Sequence, residues 1–279
     1  MEPSDRTLTH LIKGAEVAQR TSVLTDEDSR IRAVYNTSYA IELAPRSSRL
    51  HLHYVAVQTV GQGCCYYEPG VEAPGLSDAL LGMDAVSGDL GGRAWRIAAL
   101  DAVYGGLCRS PDDLMRLDGT NVEKAVARAS VVRAEAQRVL PTGRSREAVK
   151  ILVVGVVGDF LAALRELDGV VLSASDYYQH IVGTEVHGVA VQHGSLTPQL
   201  VAEADIAIVT GMTLATGTFD EIMDASRSGG TTVIVFAQTG AHFGDAYVQL
   251  GVTTVLAEPL PFYLIGSGIS AIEIFRGGR

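Results

Sequence analysis

The chain has 279 residues, 19% of them charged, a net charge of -10 and a mean hydropathy of +0.20. The acidic balance argues against nucleic acid or an anionic membrane as partner. No apolar stretch reaches the ~18 residues of a membrane span before Gly, Asp or Arg interrupts it, so the apolar excess is assigned to a parallel sheet and to a homodimer interface.

The opening residues, MEPSDRTLTHLIKG, lack the basic and then apolar segments of a signal peptide, and a cytoplasmic location is expected. Residues Thr7–Gln19 read as a helix. Arg32–Ala44 and Arg49–Val60 read as strands, joined by a turn at Pro45-Arg46-Ser47-Ser48. In the second strand His51, His53, Val55 and Val57 share one face. The two imidazoles fit a surface or interface pair better than half of a metal clamp. Gly61-Gln62-Gly63 breaks the strand, and Pro69 to Gly75 is loop. Cys64-Cys65-Tyr66-Tyr67-Glu68 has a nucleophile's residue types but no basic neighbour to lower a thiol pKa, so packing is its expected role. With Cys108, these cysteines are too few and badly spaced for a disulfide framework or a structural zinc site, which again points to a reducing compartment.

Arg93–Leu107 has helical spacing, with Trp95, Ala98, Ala99 and Ala102 on one stripe that suits close packing. Pro111–Leu140 reads as a more polar helical region, broken near Asp118-Gly119 and most convincing over Asn121–Leu140. Pro141-Thr-Gly-Arg144 is the expected boundary. The organisation is thus an α+β N-terminal domain (1–110), a helical connector (111–140) and a Rossmann-like C-terminal domain (141–279).

That last part alternates strand and helix. Val149–Val154, Val170–Ala174, His187–Gln192, Ile206–Thr210, Thr232–Phe236 and Thr253–Leu256 read as strands. Asp159–Leu167, Thr197–Glu203, Thr218–Arg227 and Phe243–Leu250 read as helices. Near-continuously apolar strands in this rhythm predict a parallel sheet covered on both faces.

The most informative stretch is Asp205–Met223, DIAIVTGMTLATGTFDEIM, an apolar strand running into a threonine- and glycine-bearing loop and then a helix. Thr218 followed by Glu221 is a capping-box signature. Such a connection at the carboxyl edge of an α/β sheet suits an anionic ligand, held by Thr210, Gly211, Thr213, Thr216 and Thr218. The turn VVGVVGDF carries Gly155 and Gly158 but has Val157 where a dinucleotide fingerprint wants glycine. Asp176 lies about twenty residues on, where a ribose-binding acid is expected. A ligand without a pyrophosphate, such as S-adenosylmethionine, fits more easily than NAD, because Asp159 at the helix start repels phosphate. In Thr239-Gly-Ala-His-Phe-Gly-Asp245, His242 and Asp245 offer an acid–base pair between glycines. His180, His187 and His193, with Glu185, are the candidates for a divalent transition metal, though no metal-ligand spacing occurs.

The order of these features resembles a bacterial and archaeal family named for heavy-metal chelation. Arg96–Leu107 (RIAALDAVYGGL) is similar to its small-residue helix, Ile151–Phe160 to its first Rossmann strand and turn, and Asp205–Glu221 to its threonine-rich loop. The resemblance implies an enolase-N-terminal-like α/β domain followed by a Rossmann-like domain. One departure is Gln238-Thr-Gly-Ala-His-Phe-Gly, where the family tends to have a Gly-Pro-Ser-type turn. Two functions follow from the whole reading. The favoured one is an enzyme on a small anionic organic ligand (amino-acid, metallophore-like or S-adenosylmethionine-type) bound between the domains. The other is a non-catalytic binding protein for a heavy metal or metal chelate.

Overall fold

The computed structural model describes residues 5–42, 49–67, 78–141, 148–260 and 268–278. The expected turn at 45–48, the loop at 69–75, Glu68 and residues 142–144 of the expected boundary lie outside them, as does the side chain of His51.

Helix α1 (Arg6–Arg20) opens with Asp5 as its cap, the carboxylate accepting from the Leu8 amide at 2.9 Å. Strands β1 (Ala33–Glu42) and β2 (Arg49–Gln58) pair antiparallel, and β2 pairs on its other side with β3 (Gln62–Tyr66). The glycines read as a strand break belong in part to β3 and serve helix packing. Helix α2 (Arg93–Gly105) lies so close to Gly63 that a Cβ there would sit 2.2 Å from the Ala102 nitrogen. The alanine stripe of α2 and the glycines opposite it are two halves of one close contact.

Residues 111–120 correct the sequence reading. Asp113–Leu117 is a strand, β4, with four of its five residues exposed, followed by helix α3 (Asn121–Arg138). An edge strand with little burial has no alternation to reveal it. Helix α3 begins with a complete capping box, Thr120 and Glu123.

The large sheet then builds from β5 (Val149–Val154), β6 (Val170–Asp176), β7 (Glu185–Val186), β8 (Val189–His193), β9 (Ile206–Thr210), β10 (Thr232–Ala237), β11 (Thr254–Ala257) and β12 (Ser270–Arg276). Its order is β4-β12-β11-β10-β9-β5-β6-β8-β7. The six strands β11 to β8 in that order run parallel, β12 and β7 run against them, and β4, antiparallel to β12, runs in the direction of the six. Helices α4 (Gly158–Leu164), α5 (Thr197–Glu203), α6 (Met212–Thr216), α7 (Phe219–Gly229) and α8 (Gly244–Gln249) complete the connections. The fold is therefore α/β, a Rossmann-like, mostly parallel sheet with a smaller antiparallel α+β unit before it.

Alternate residues of the central strands feed two cores. Ile151, Val153, Ile206, Ile208 and Ile234 pack with α3 and α4. Leu152, Ala207, Val209 and Val235 pack on the opposite face, in a cluster that continues through α7 into α1, α2 and β2. No helix of the described residues is long and apolar enough to cross a membrane.

Two carboxylates tie distant segments and set an acid limit. Asp84 accepts from Ser29, Ser87 and the Val86 amide; burial pushes its pKa up, but these donors hold it below the usual range. Burial likewise pushes Glu135 up, and Arg276 and Arg138 more than reverse it. A depressed carboxylate stabilises above its unfolded pKa and loses that contribution as pH falls through the folded one. Urea unfolding should thus show stability holding down to about pH 5 and falling below about pH 4, in the carboxylate range. Glu135→Gln should lower stability at pH 7 and flatten the acid slope; an unchanged slope would remove Glu135 from this account.

Candidate functional site

Chain order reverses between β5 and β9. From β5 the sheet grows one way through β6 and β8, and from β9 the other way through β10 and β11. In open α/β sheets such a reversal marks the carboxyl edge where ligands bind. Gly155 leaves β5 with φ +78, and a Cβ on it would lie 2.2 Å from Thr210 Oγ1. Thr210, the last residue of β9, is 5% exposed. Its hydroxyl is buried with no hydrogen-bond partner among the described residues. A buried hydroxyl left unpaired costs about 1–3 kcal/mol.

Asp176, at the end of β6, accepts the Val156 amide at 2.7 Å and the Tyr178 amide at 2.8 Å, one on each oxygen. The acid expected to hold a ribose thus locks the β5–α4 corner to the end of β6, and a ligand would share it with these amides.

The threonines of the loop separate. Thr213 Oγ1 donates to the Thr210 carbonyl at 2.9 Å, and Thr216 Oγ1 to the Thr213 carbonyl at 3.3 Å. These are the back-bonds of a helical turn, which is why the expected loop is helix α6. The capping box at Thr218 does not form: Thr218 makes no side-chain cap, and its hydroxyl lies 3.0 Å from that of Thr216. Gly217, at φ +77, separates α6 from α7. Thr210 and Thr213 are buried while Thr216 is exposed, so the four hydroxyls do not line one pocket. The outer part of this connection docks the first helix instead. Asp220 accepts the Arg6 amide at 2.8 Å and the Thr7 hydroxyl at 2.5 Å, and Arg93 donates to the Leu214 carbonyl at 2.8 Å.

Gly211 packs against the β10 exit, where a Cβ would lie 2.5 Å from the Thr239 carbonyl oxygen. Three residues further on is His242, and its partner is Asp101 of α2. The Asp101 carboxylate accepts the His242 amide at 2.8 Å and faces Nδ1 at 3.2 Å; its second oxygen accepts the Cys64 amide at 3.0 Å. The pairing expected with Asp245 is replaced, and Asp245 lies exposed at the start of α8. Asp101 carried one readable signal, a lone acid within an otherwise apolar helical stripe. Cys64 is fully buried, and burial, then Asp101 and Cys65, push its thiol up, which suits packing and not a nucleophile.

The histidines do not gather. His180 stacks edge-on to Tyr178, and His193 caps the following turn through Ser195. His187 has φ 50 at the tight turn between β7 and β8, where a continuous strand was expected. The turn takes the first two residues of that strand, which runs instead as Val189–His193. No group of three or more His, Cys, Asp or Glu among the described residues could hold a metal ion.

Sequence reasoning missed a buried network beside the β10 exit. Glu258, just past β11, is bidentate with Arg128 of α3 at 2.6 Å to each oxygen. Gln238 and Ser270 also donate to it, at 2.9 and 3.0 Å. Gln238 in turn accepts the Cys64 thiol through its carbonyl at 3.4 Å. The ion pair therefore anchors the loop that carries His242.

Two solved structures share the fold. One is a protein of unknown function of the DUF364 family from Pyrococcus horikoshii, 13% identical, with a TM-score of 0.51, covering 96% of this chain and 99% of that one. The other is a DUF364 protein of unknown function from Desulfitobacterium hafniense DCB-2, 12% identical, with a TM-score of 0.54, covering 94% and 98%. No curated protein matches the chain. Residues 142–256, which hold the switch point, Asp176, the threonine connection and His242, match the family model DUF364, described as "Putative heavy-metal chelation".

Proposed function

We propose that the chain binds the anionic group of a small organic molecule at the carboxyl ends of β5 and β9 and acts on that molecule as an enzyme, with His242 moving a proton. The observation that carries this reading is the buried, unpartnered hydroxyl of Thr210 facing Gly155 at the switch point. Such a hydroxyl costs stability unless a bound group satisfies it. Glycine at Gly155 leaves the space that the Thr210 side chain fills, so the ends of β5 and β9 meet closely at the switch point. The candidate ligand classes are amino-acid or metallophore-like compounds and S-adenosylmethionine. A metal chelate belongs with the first of these and would agree with the family's description.

Native mass spectrometry of the purified chain, with metal analysis, tests the proposal. A retained organic mass without metal, or stoichiometric binding of added S-adenosylmethionine, is the expected result. One transition metal per chain without organic mass would turn the reading to a metal-binding protein. A chain that retains nothing and ignores S-adenosylmethionine, metallophore-like and amino-acid additions would overturn it.

A further inference from the structure

We infer that Asp101 is a positioning residue that keeps the His242 proton on Nδ1 and so presents Nε2 as the proton acceptor for a small anionic substrate with a reactive hydroxyl or carbon-acid proton. This deepens the enzyme reading and rests on the carboxyl edge being the ligand edge.

Asp101 is 1% exposed in the apolar middle of α2. A carboxylate there is tolerated only if its oxygens are satisfied. Each oxygen already accepts a backbone amide, from Cys64 on one side and His242 on the other. An oxygen held in that way is an acceptor, so the ring nitrogen facing it at 3.2 Å is the donor. The tautomer of an imidazole follows from the bond its other nitrogen makes. Nε2 then carries the lone pair. It has no hydrogen-bond partner among the described residues, and the side chain keeps 10% exposure. Gly105 clears the ring's flank, since a Cβ there would stand 3.3 Å from Cε1.

The loop holding the ring is fixed from three sides. Thr239 Oγ1 accepts the Tyr66 amide at 2.9 Å, Gly240 turns at φ +66, and Gly211 packs beneath Thr239. The antiparallel unit thus completes an acid–base group that the Rossmann-like sheet alone lacks. In the step, the substrate's O–H or C–H bond breaks, its proton bonds to Nε2, and its electron pair stays on the substrate. Asp101 balances the imidazolium charge until the proton returns.

The test is the long-range 1H–15N spectrum of 15N-histidine-labelled whole chain near neutral pH, with His242 assigned by its loss in His242→Gln. The expected signature is a protonated Nδ1 and a bare Nε2. Asp101→Asn should move it towards the Nε2–H form, and should that variant not fold, the wild-type spectrum decides alone. A wild-type Nε2–H signature would overturn the inference. Because the readout needs no ligand, the Nδ1–H signature stands even where the retained-ligand experiment fails, so the two failures are distinguishable.

Discussion

Replacing Glu258 by Gln should destabilise the protein by about 3–5 kcal/mol, the usual cost of leaving one member of a buried ion pair uncompensated. Glu258 is 0% exposed and Arg128 5% exposed, so water cannot take over the role of the lost charge. Gln238 and Ser270 would compete for the single remaining acceptor. For a chain of this size the loss corresponds to a fall in Tm on the order of 10 °C. The double variant Arg128→Met, Glu258→Leu should lose much less, because replacing both charges by apolar side chains avoids the unpaired ion. Thermal unfolding of the single and double variants checks both statements. A single variant within 1 °C of the wild type would mean that the pair is solvated. The pair also reaches the site: with Glu258 changed, Gln238 has a weaker, shared anchor, and hydrogen exchange at 239–243 should quicken below the melting range.

How much of this was legible beforehand varied with the physics of each segment. Strands β5 and β9 and helix α5 have the bounds read from the sequence, because largely buried strands are apolar runs between turn residues and Pro198 marks the first turn of α5. Strand β12 was legible in its alternation, with Ile272 and Ile274 buried between half-buried Ala271 and Glu273, yet it fell outside the βα rhythm and went unread. Strand β4 was not legible at all, since pairing with β12 and not burial defines it. At the site, Gly155, Thr210 and His242 could be singled out from their position after strands. Their partners could not: Asp101 lies 141 residues from His242, and Glu258 lies 130 from Arg128. Local patterns report which residue sits at a strand end, whereas which side chain answers it depends on packing between segments far apart in sequence.

Replacing Thr210 by Val should move stability and ligand binding in opposite directions. Valine keeps the branched shape that suits a buried strand and removes only the hydroxyl. In the empty protein that hydroxyl has no partner among the described residues, so its removal relieves a desolvation cost and should raise stability by about 1 kcal/mol. If the proposed ligand satisfies the same hydroxyl, its loss should weaken binding about 10–100-fold. Thr210→Ser keeps the hydroxyl and should keep binding. The measurements are urea unfolding of the ligand-stripped variants and the retained mass or S-adenosylmethionine titration of each. A structural role for the hydroxyl predicts the reverse pattern, with Thr210→Val losing stability and binding together. A packing role predicts that Ser, the smaller residue, is the worse substitution in both assays. Only a ligand-directed hydroxyl makes the valine variant both more stable and unable to hold its ligand, because only then is the missing partner outside the chain.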